Sequence, residues 1–396
     1  MQCRTVLYLS YDGLTDPLGQ SQILPYLCGL SSYYSISIIS FEKTERLKEA
    51  GAEITNICHQ NKISWVPLHY HKRPAVIATL FDIGILWFKA WQLIRRDEVS
   101  IVHCRSYVTA LVGLWLKKRH RVKFVFDMRG FWADERVEGG VWDLKNPLYR
   151  IIYTFFKRKE NEFLKQADHT IVLTESAAHY LTHHQLASRI TVIPCCVDVN
   201  LFNPVNQKQQ NSTGLRAELG LALTDYVLGY VGSLGTWYLY SEMVTFFYKL
   251  KEKVPTARLV FLTPDHSKVQ NHSDFVVRHV PRASMPAYIS LFNASICFIK
   301  PTFSKMGSSA TKIAEVLSMG VPVVVNTGWG DIGTLAENKA VGIFLENLDQ
   351  EQISRGVSAL LALDGNPLAI RNFAVGYFSL EMGIHRYQNI YEHLIL

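Results

Sequence analysis

The chain has 396 residues, of which 48% are hydrophobic and 19% charged, and a formal net charge of +7. At about 150 residues per domain this length holds two or three cores; the hydrophobic share excludes a disordered chain, and seven cysteines spread so thinly exclude a small disulfide scaffold. The charge is uneven: residues 1–200 carry 25 Lys and Arg against 19 Asp and Glu, leaving a balanced 16 against 15 for the rest.

From the N-terminus, Val6–Ser10 reads as a strand, Asp12–Gln20 as a loop, Ser21–Leu30 as a helix and Ser35–Ser40 as a second strand, a βαβ opening. The apolar run Val6–Leu9 is too short for the core of a secretory signal. No Cys-x-x-Cys pair offers a zinc site, so Cys3, Cys28, Cys58, Cys104, Cys195, Cys196 and Cys297 read as reduced thiols and a cytoplasmic location is expected. The basic half lacks a stripe of interleaved aromatics and any zinc-finger or RRM signature. No nucleic-acid partner is expected, and an anionic membrane surface or acceptor suits the charge better.

Pro74–Leu93 is the one stretch long and apolar enough to resemble a membrane span. Asp82, Lys89 and Arg96 recur every seven residues and would line one side of a helix. This predicts a mostly buried helix with one wet edge; the alternative is a helix lying on a bilayer with Trp87 and Trp91 inward. The basic runs Lys117–Lys123 and Lys157–Lys159 read as solvated faces, a membrane-facing role being the sharper alternative.

Further strands are expected at Ile101–Cys104, Lys123–Asp127, Thr170–Leu173 and Ile190–Pro194. His103 and Arg105 end the first of these, either as core residues or as acceptor-side groups. Asp127, Arg129 and Trp132 follow the second in FDMRGFWADE. Arg129 would clamp a phosphate, and Asp127 would orient a sugar hydroxyl or stabilise charge at an anomeric carbon. The competing reading is an internal Asp127–Arg129 ion pair with Trp132 as packing.

After Pro194 the run CCVDVNLFNPVNQKQQNSTG reads as a linker, and strand–helix alternation restarts with strands at Tyr226–Val231, Arg258–Thr263, Ser295–Ile299 and Val323–Asn326. Phe378–Leu396 has the spacing of an amphipathic helix. The fold class is α/β: two Rossmann-like, doubly wound parallel-sheet domains, 1–197 and 198–375, facing a cleft, with ligands beyond the carboxyl ends of the strands.

In KPTFSKMGSSATKIAEVLSMGVP a strand ends at Ile299, a small-residue loop holds Gly307, Ser308 and Ser309, and a helix starts near Thr311. Free backbone N–H groups, hydroxyls and Lys312 at that start suit a phosphate, and Glu315, one turn on, suits a ribose diol. The plainer reading is a serine cap and a surface Lys312–Glu315 pair. Gly232-Ser233-Leu234-Gly235 forms a second turn that would approach a diphosphate or simply link strand to helix. Gly19 would let the main chain of the first domain touch a ligand, or serve a plain turn.

Together YLSYDGLTDPLGQSQILPYL, DMRGFWADE, VIPCCVDVNLF, GSLGTWY and FSKMGSSATKIAEVLSMGVPVV resemble bacterial GT-B glycosyltransferases of retaining family 4, over nearly the whole chain. The resemblance implies a nucleoside diphosphate sugar held mainly by the second domain and a saccharide or lipid-linked acceptor held by the first. It also implies transfer with retention in cell-surface polysaccharide or glycolipid synthesis, no metal or other cofactor, and a terminal helix, 376–396, crossing back to the first domain. It assigns the ribose to Glu315, the diphosphate to Ser308, Ser309, Thr311 and Lys312, and a place near the donor phosphate to Gly19.

Three departures stand out. Gly307 occupies the position eight before Glu315 where the family carries another glutamate, GSLGTWY lacks the usual Arg and Lys, and Asp127 stands where many members have a histidine. Lys305, Lys312 and Arg129 are the candidates for the missing positive charge. Two rival activities remain open: a sugar-nucleotide epimerase or hydrolase using Asp127, Asp134, Glu135 and His103, and a non-catalytic nucleotide-sugar-binding subunit, which Gly307 favours.

Overall fold

The computed structural model describes residues 5–207 and 212–395, so Cys3 and positions 208–211 of the expected linker lie outside the described residues. Two compact units form: Met1–Pro194 with Leu380–Leu396, and Cys195–Ser379. Their boundaries stand at 194/195 and 379/380, against 197/198 and 375/376 in the sequence reading.

The first unit is built on a seven-stranded parallel sheet in the order β3-β2-β1-β4-β5-β6-β7. Its strands are β1 (Thr5–Ser10), β2 (Ser35–Glu42), β3 (Ser64–His69), β4 (Val99–Arg105), β5 (Lys123–Asp127), β6 (His169–Val172) and β7 (Ile190–Val192). The second unit has six parallel strands in the order β10-β9-β8-β11-β12-β13. These are β8 (Tyr226–Val231), β9 (Ala257–Leu262), β10 (Phe275–Arg278), β11 (Ala294–Cys297), β12 (Val323–Asn326) and β13 (Gly342–Leu345). Helices cover both sheets, so central strands such as β1 are buried along their whole length and read as largely apolar runs.

The strands absent from the sequence reading, β3, β10 and β13, are all edge strands with partly exposed residues; β10 and β13 have only four residues each, and β3 carries Pro67. The expected loop Asp12–Gln20 is also partly helical. Helices Pro17–Gln22 and Leu24–Leu30 replace the single expected helix, each with a proline in its first two positions.

Gly19 lies inside the first of these helices, where an added Cβ would stand 2.0 Å from the Gly13 carbonyl oxygen and 2.6 Å from Leu14 Cα. The space its missing side chain leaves is filled by this chain's own backbone. The loop is held from the other side by buried Glu42, which accepts from Leu14 N at 2.8 Å, Thr15 N at 3.1 Å and Ser40 Oγ at 2.6 Å. Gly19→Ala is therefore expected to destabilise the chain by about 3 kcal/mol, because backbone rather than a side chain must move; urea denaturation showing a loss below about 1 kcal/mol would contradict this packing.

The helix Ala75–Arg96 has the opposite polarity to that expected. Asp82 faces inward with Ala78, Leu86, Ala90 and Leu93, all buried. It accepts from Tyr11 Oη at 2.8 Å, and His71 Nδ1 lies 2.6 Å from its other oxygen. The exposed side is apolar, with Ile77 65%, Phe81 57% and Phe88 45% exposed. The predicted polar stripe exists at its start, but a satisfied carboxylate lets it face the protein.

Candidate functional site

In the second unit, the turn after β8 and the segment after β11 meet at the carboxyl edge of the sheet. Leu239 N donates to Phe298 O at 3.0 Å and Lys300 N to Trp237 O at 2.8 Å, which lays GSLGTWY against KPTFSKMGSS. The helix Thr311–Ser318 starts beside them. Its N-cap is Ala310, whose side chain caps nothing, so neither Ser308 nor Ser309 takes the capping role. Ser309 Oγ instead accepts from Cys195 N at 3.1 Å, and Ser308 N donates to Lys305 O at 3.1 Å. Thr311 is the first residue of the helix and is partly exposed.

Lys312 is enclosed by aromatic groups. Its ammonium donates to Tyr230 Oη at 2.9 Å and sits 3.8 Å from the Tyr238 ring centroid and 4.3 Å from that of Tyr230. Tyr230 Oη in turn donates to Ser233 O at 2.6 Å. Burial pushes the Lys312 pKa down to about 8, against the pull of Cys297 and Glu315. Among the described residues no carboxylate forms an ion pair with it. Gly232 has φ +98, a left-handed turn that favours glycine, and a Cβ there would crowd the Lys312 ammonium at 3.1 Å. Lys305, 6% exposed, holds its ammonium 4.0 Å from the Trp237 ring centroid.

Glu315 lies one turn deeper and is also buried. Burial raises its pKa, opposed by Arg282, whose guanidinium donates to Oε1 at 2.5 Å. Arg282 escaped the sequence reading because it follows β10, an edge strand that was itself missed; a cation just beyond a strand's carboxyl end was the available signal. Gly307 closes the 3-10 turn Phe303–Gly307, which contains no carboxylate. Arg282→Ala leaves the Glu315 carboxylate buried without its cation. The expected cost is about 2–4 kcal/mol, somewhat below that of a fully buried pair because Arg282 reaches solvent; unchanged stability in thermal or urea unfolding would contradict the pairing.

In the first unit, β4 and β5 place Arg105 beside Asp127. Asp127 is fully buried: Oδ2 accepts from Tyr387 Oη at 3.2 Å and lies 3.5 Å from His103 Nε2, and Oδ1 lies 3.8 Å from Arg129 Nη1. Burial alone would raise its pKa, but Arg129, His103 and Arg105 outweigh it and hold the carboxyl below its usual value. His103 is likewise fully buried, stacks on Tyr8 at 4.4 Å, and has Nδ1 2.7 Å from Tyr391 Oη. Burial lowers its pKa, opposed by the Asp127 carboxylate. Tyr387 and Tyr391 come from the terminal helix Leu380–Ile395, expected as an amphipathic helix over Phe378–Leu396.

Arg105, 3% exposed, also reaches Asp12 Oδ2 at 3.4 Å. Arg129 turns the chain sharply with φ +57, followed by Gly130 at φ +107. Trp132 packs against Phe156 at 4.9 Å, Trp142 at 5.2 Å and Tyr107 at 5.7 Å, the packing alternative. Asp134 is engaged by Tyr153 Oη at 2.9 Å and Lys157 Nζ at 2.8 Å. The structure thus assembles Gly232, Ser233, Lys305, Lys312 and Glu315 in one region of the second unit. In the first unit it gathers His103, Arg105, Asp127 and Arg129 and sets Gly19 and Trp132 in separate packing. Among the described residues no group of three or more His, Cys, Asp or Glu side chains is placed to hold a metal ion.

Comparison with known proteins bears on the fold. Residues 38–201 match the family model of Glycosyltransferase Family 4. No curated protein matches the sequence significantly. Among solved structures, a glycosyltransferase from Rickettsia africae superposes with a TM-score of 0.69 at 14% identity, over 100% of this chain and 99% of that one. Sucrose-phosphate synthase from Thermosynechococcus elongatus gives 0.70 at 13% identity, over 99% of each chain. HepE of Anabaena, solved with UDP, gives 0.68 at 13% identity, over 98% of this chain and 100% of that one. The chain has the GT-B fold of these structures, and residues 38–201 match the Glycosyltransferase Family 4 model.

Proposed function

We propose that this chain transfers a sugar from a nucleoside diphosphate sugar, bound by the second unit, to a hydroxyl of a saccharide or lipid-linked acceptor, bound by the first. Transfer proceeds with retention, as hexosyl transfer at the cytoplasmic face of the cell membrane, in the synthesis of a surface polysaccharide or glycolipid. The observation that carries this reading is Lys312, a partly buried ammonium with aromatic and hydroxyl partners and, among the described residues, no ion pair, at the start of a helix that no side chain caps. A diphosphate supplies the missing negative charge. When the sugar leaves, Lys312 and the first-turn N–H groups stabilise the charge that grows on the departing diphosphate, with Lys305 a further cation in the same region; no metal is needed for that task.

Ser233, Ser308, Ser309 and Thr311 supply polar contacts around the phosphates, and Glu315 accepts from the ribose through the oxygen that Arg282 does not hold. Asp127 is too deeply buried to meet a sugar. It acts by fixing Arg105 and Arg129, which, with His103 behind them, present the acceptor side. HepE solved with UDP-glucose supports a nucleotide-sugar donor for this fold.

A thermal-shift screen against UDP-, GDP-, dTDP- and CMP-sugars tests the proposal. One diphosphate class at ~100-fold excess over its Kd is expected to stabilise the unit that binds it by about 2.7 kcal/mol, a rise of roughly 5–10 °C, while the monophosphate CMP-sugars give none. No shift with any nucleoside diphosphate sugar would contradict the donor site. A second reading, binding without transfer, draws on the absent carboxylate at Gly307. Acceptor-dependent release of nucleotide separates transfer from it, and release without acceptor marks a hydrolase.

A further inference from the structure

We infer that the first unit docks on an anionic lipid bilayer through the exposed side of the helix Ala75–Arg96, with the base of the neighbouring helix Ser106–Arg119 meeting the headgroups. This rests on the membrane contact proposed above and is independent of the donor assignment.

The helix is long and apolar enough to span a membrane, yet it is a crossover between β3 and β4 of one parallel sheet. Spanning would tear Asp82 from Tyr11 and His71, and Leu86, Ala90 and Leu93 from the core. The helix therefore stays on the sheet and offers its other side. There Ile77, Leu80, Phe81, Trp87 and Phe88 are 65%, 63%, 57%, 38% and 45% exposed. Single exposed apolar side chains are ordinary on a soluble surface, but five large ones aligned on one helix are not.

The surroundings identify what covers them. Trp87 packs on Trp115 at 5.0 Å, and Trp115 on His120 at 6.0 Å, so the apolar side runs directly into the turn that follows the helix Ser106–Arg119. That turn forms a hollow of about 450 Å³ lined by Lys117, Lys118, Arg119, Arg121 and Lys123, with Asp168 its one carboxylate. Asp168 is taken by Lys117 at 2.9 Å and Lys118 is held by Glu162 at 2.6 Å. Arg119, Arg121 and Lys123 are exposed and form no ion pair among the described residues. Arg95 stacks over Trp91 at 4.6 Å on the same helix end.

An apolar strip, indoles at its border and a cationic rim beyond them match acyl chain, interface and anionic headgroup in that order. A second copy of this chain fits less well, because a self-complementary contact through the same surface would bring two cationic rims together.

The test uses the full chain and sedimentation with vesicles of phosphatidylcholine, with or without phosphatidylglycerol. Binding to the anionic vesicles is expected to be at least tenfold tighter, to weaken with added salt and to shift Trp fluorescence to the blue, as adsorption with partial burial of the indoles requires. The exposed-side double variant Phe81→Ser/Phe88→Ser should lose binding by tenfold or more, and Arg119→Gln/Arg121→Gln should lose most of the preference for anionic lipid. The nucleoside diphosphate thermal shift should survive in both, which also shows that they fold. Equal vesicle binding by wild type and F81S/F88S overturns the inference. So does a wild-type dimer that ignores vesicles and is dispersed by F81S/F88S, which would assign the surface to a second copy. Vesicle binding without any nucleotide shift would instead contradict the donor reading and leave the docking surface standing.

Discussion

A Lys312→Met chain is expected to bind nucleoside diphosphates about 100-fold more weakly than the wild type, the loss of one strong charge-assisted contact of roughly 2.7 kcal/mol. Without ligand it should be more stable by about 1–2 kcal/mol, because methionine fills similar space among Tyr230 and Tyr238 without the cost of a poorly solvated charge. Opposite signs in binding and stability mark a residue kept for a ligand rather than for the fold.

The pH dependence follows from the same displacement. Lys312 titrates near pH 8 in the folded chain, below its ordinary value of 10.5, so between these the unfolded chain holds the extra proton and this group's contribution to stability rises with pH. Diphosphate affinity runs the other way, declining as the ammonium deprotonates above about pH 8, a midpoint that bound phosphate itself moves upward. Calorimetric titrations at neutral and alkaline pH check this: the wild type should weaken and Lys312→Met should stay flat. Equal affinity of the two at neutral pH would remove Lys312 from the site.

Asp127→Ala is expected to cost about 3–5 kcal/mol in urea denaturation, because two guanidiniums, Tyr387 and His103 lose the carboxylate they surround. The folded-state pKa of Asp127 is held below its ordinary value, so its contribution is fully present above about pH 4 and disappears as pH falls through the folded value. The stability difference between wild type and variant should therefore narrow in acid. A loss below about 1 kcal/mol at neutral pH would mean that the cluster is not held by this charge.

The parts of this molecule that local pattern reveals are those that local physics decides. Central strands such as β1 and β12 are buried from end to end and largely apolar because both faces are covered, whereas the edge strands β3, β10 and β13 are partly exposed, β10 and β13 being only four residues long, and give no such run. Lys312 and Glu315 were visible because a glycine-and-serine loop before a helix is itself a phosphate-seat geometry. What surrounds them was not: Tyr230 lies 82 residues from Lys312 and Arg282 lies 33 from Glu315. The same distance in sequence hides a partner of Asp127, Tyr387, 260 residues away, and turns Asp82 inward through Tyr11 at a separation of 71. A lone acidic residue on an apolar helix shows its spacing but not which side faces the protein.

The most direct measurement is a crystal structure of the chain soaked with a nucleoside diphosphate. The diphosphate is expected against the first turn of the helix Thr311–Ser318, within hydrogen-bond reach of the Lys312 ammonium, and the ribose at Glu315. A nucleotide bound in the first unit, or Lys312 still closed over by Tyr230 and Tyr238 with the ligand elsewhere, would contradict it.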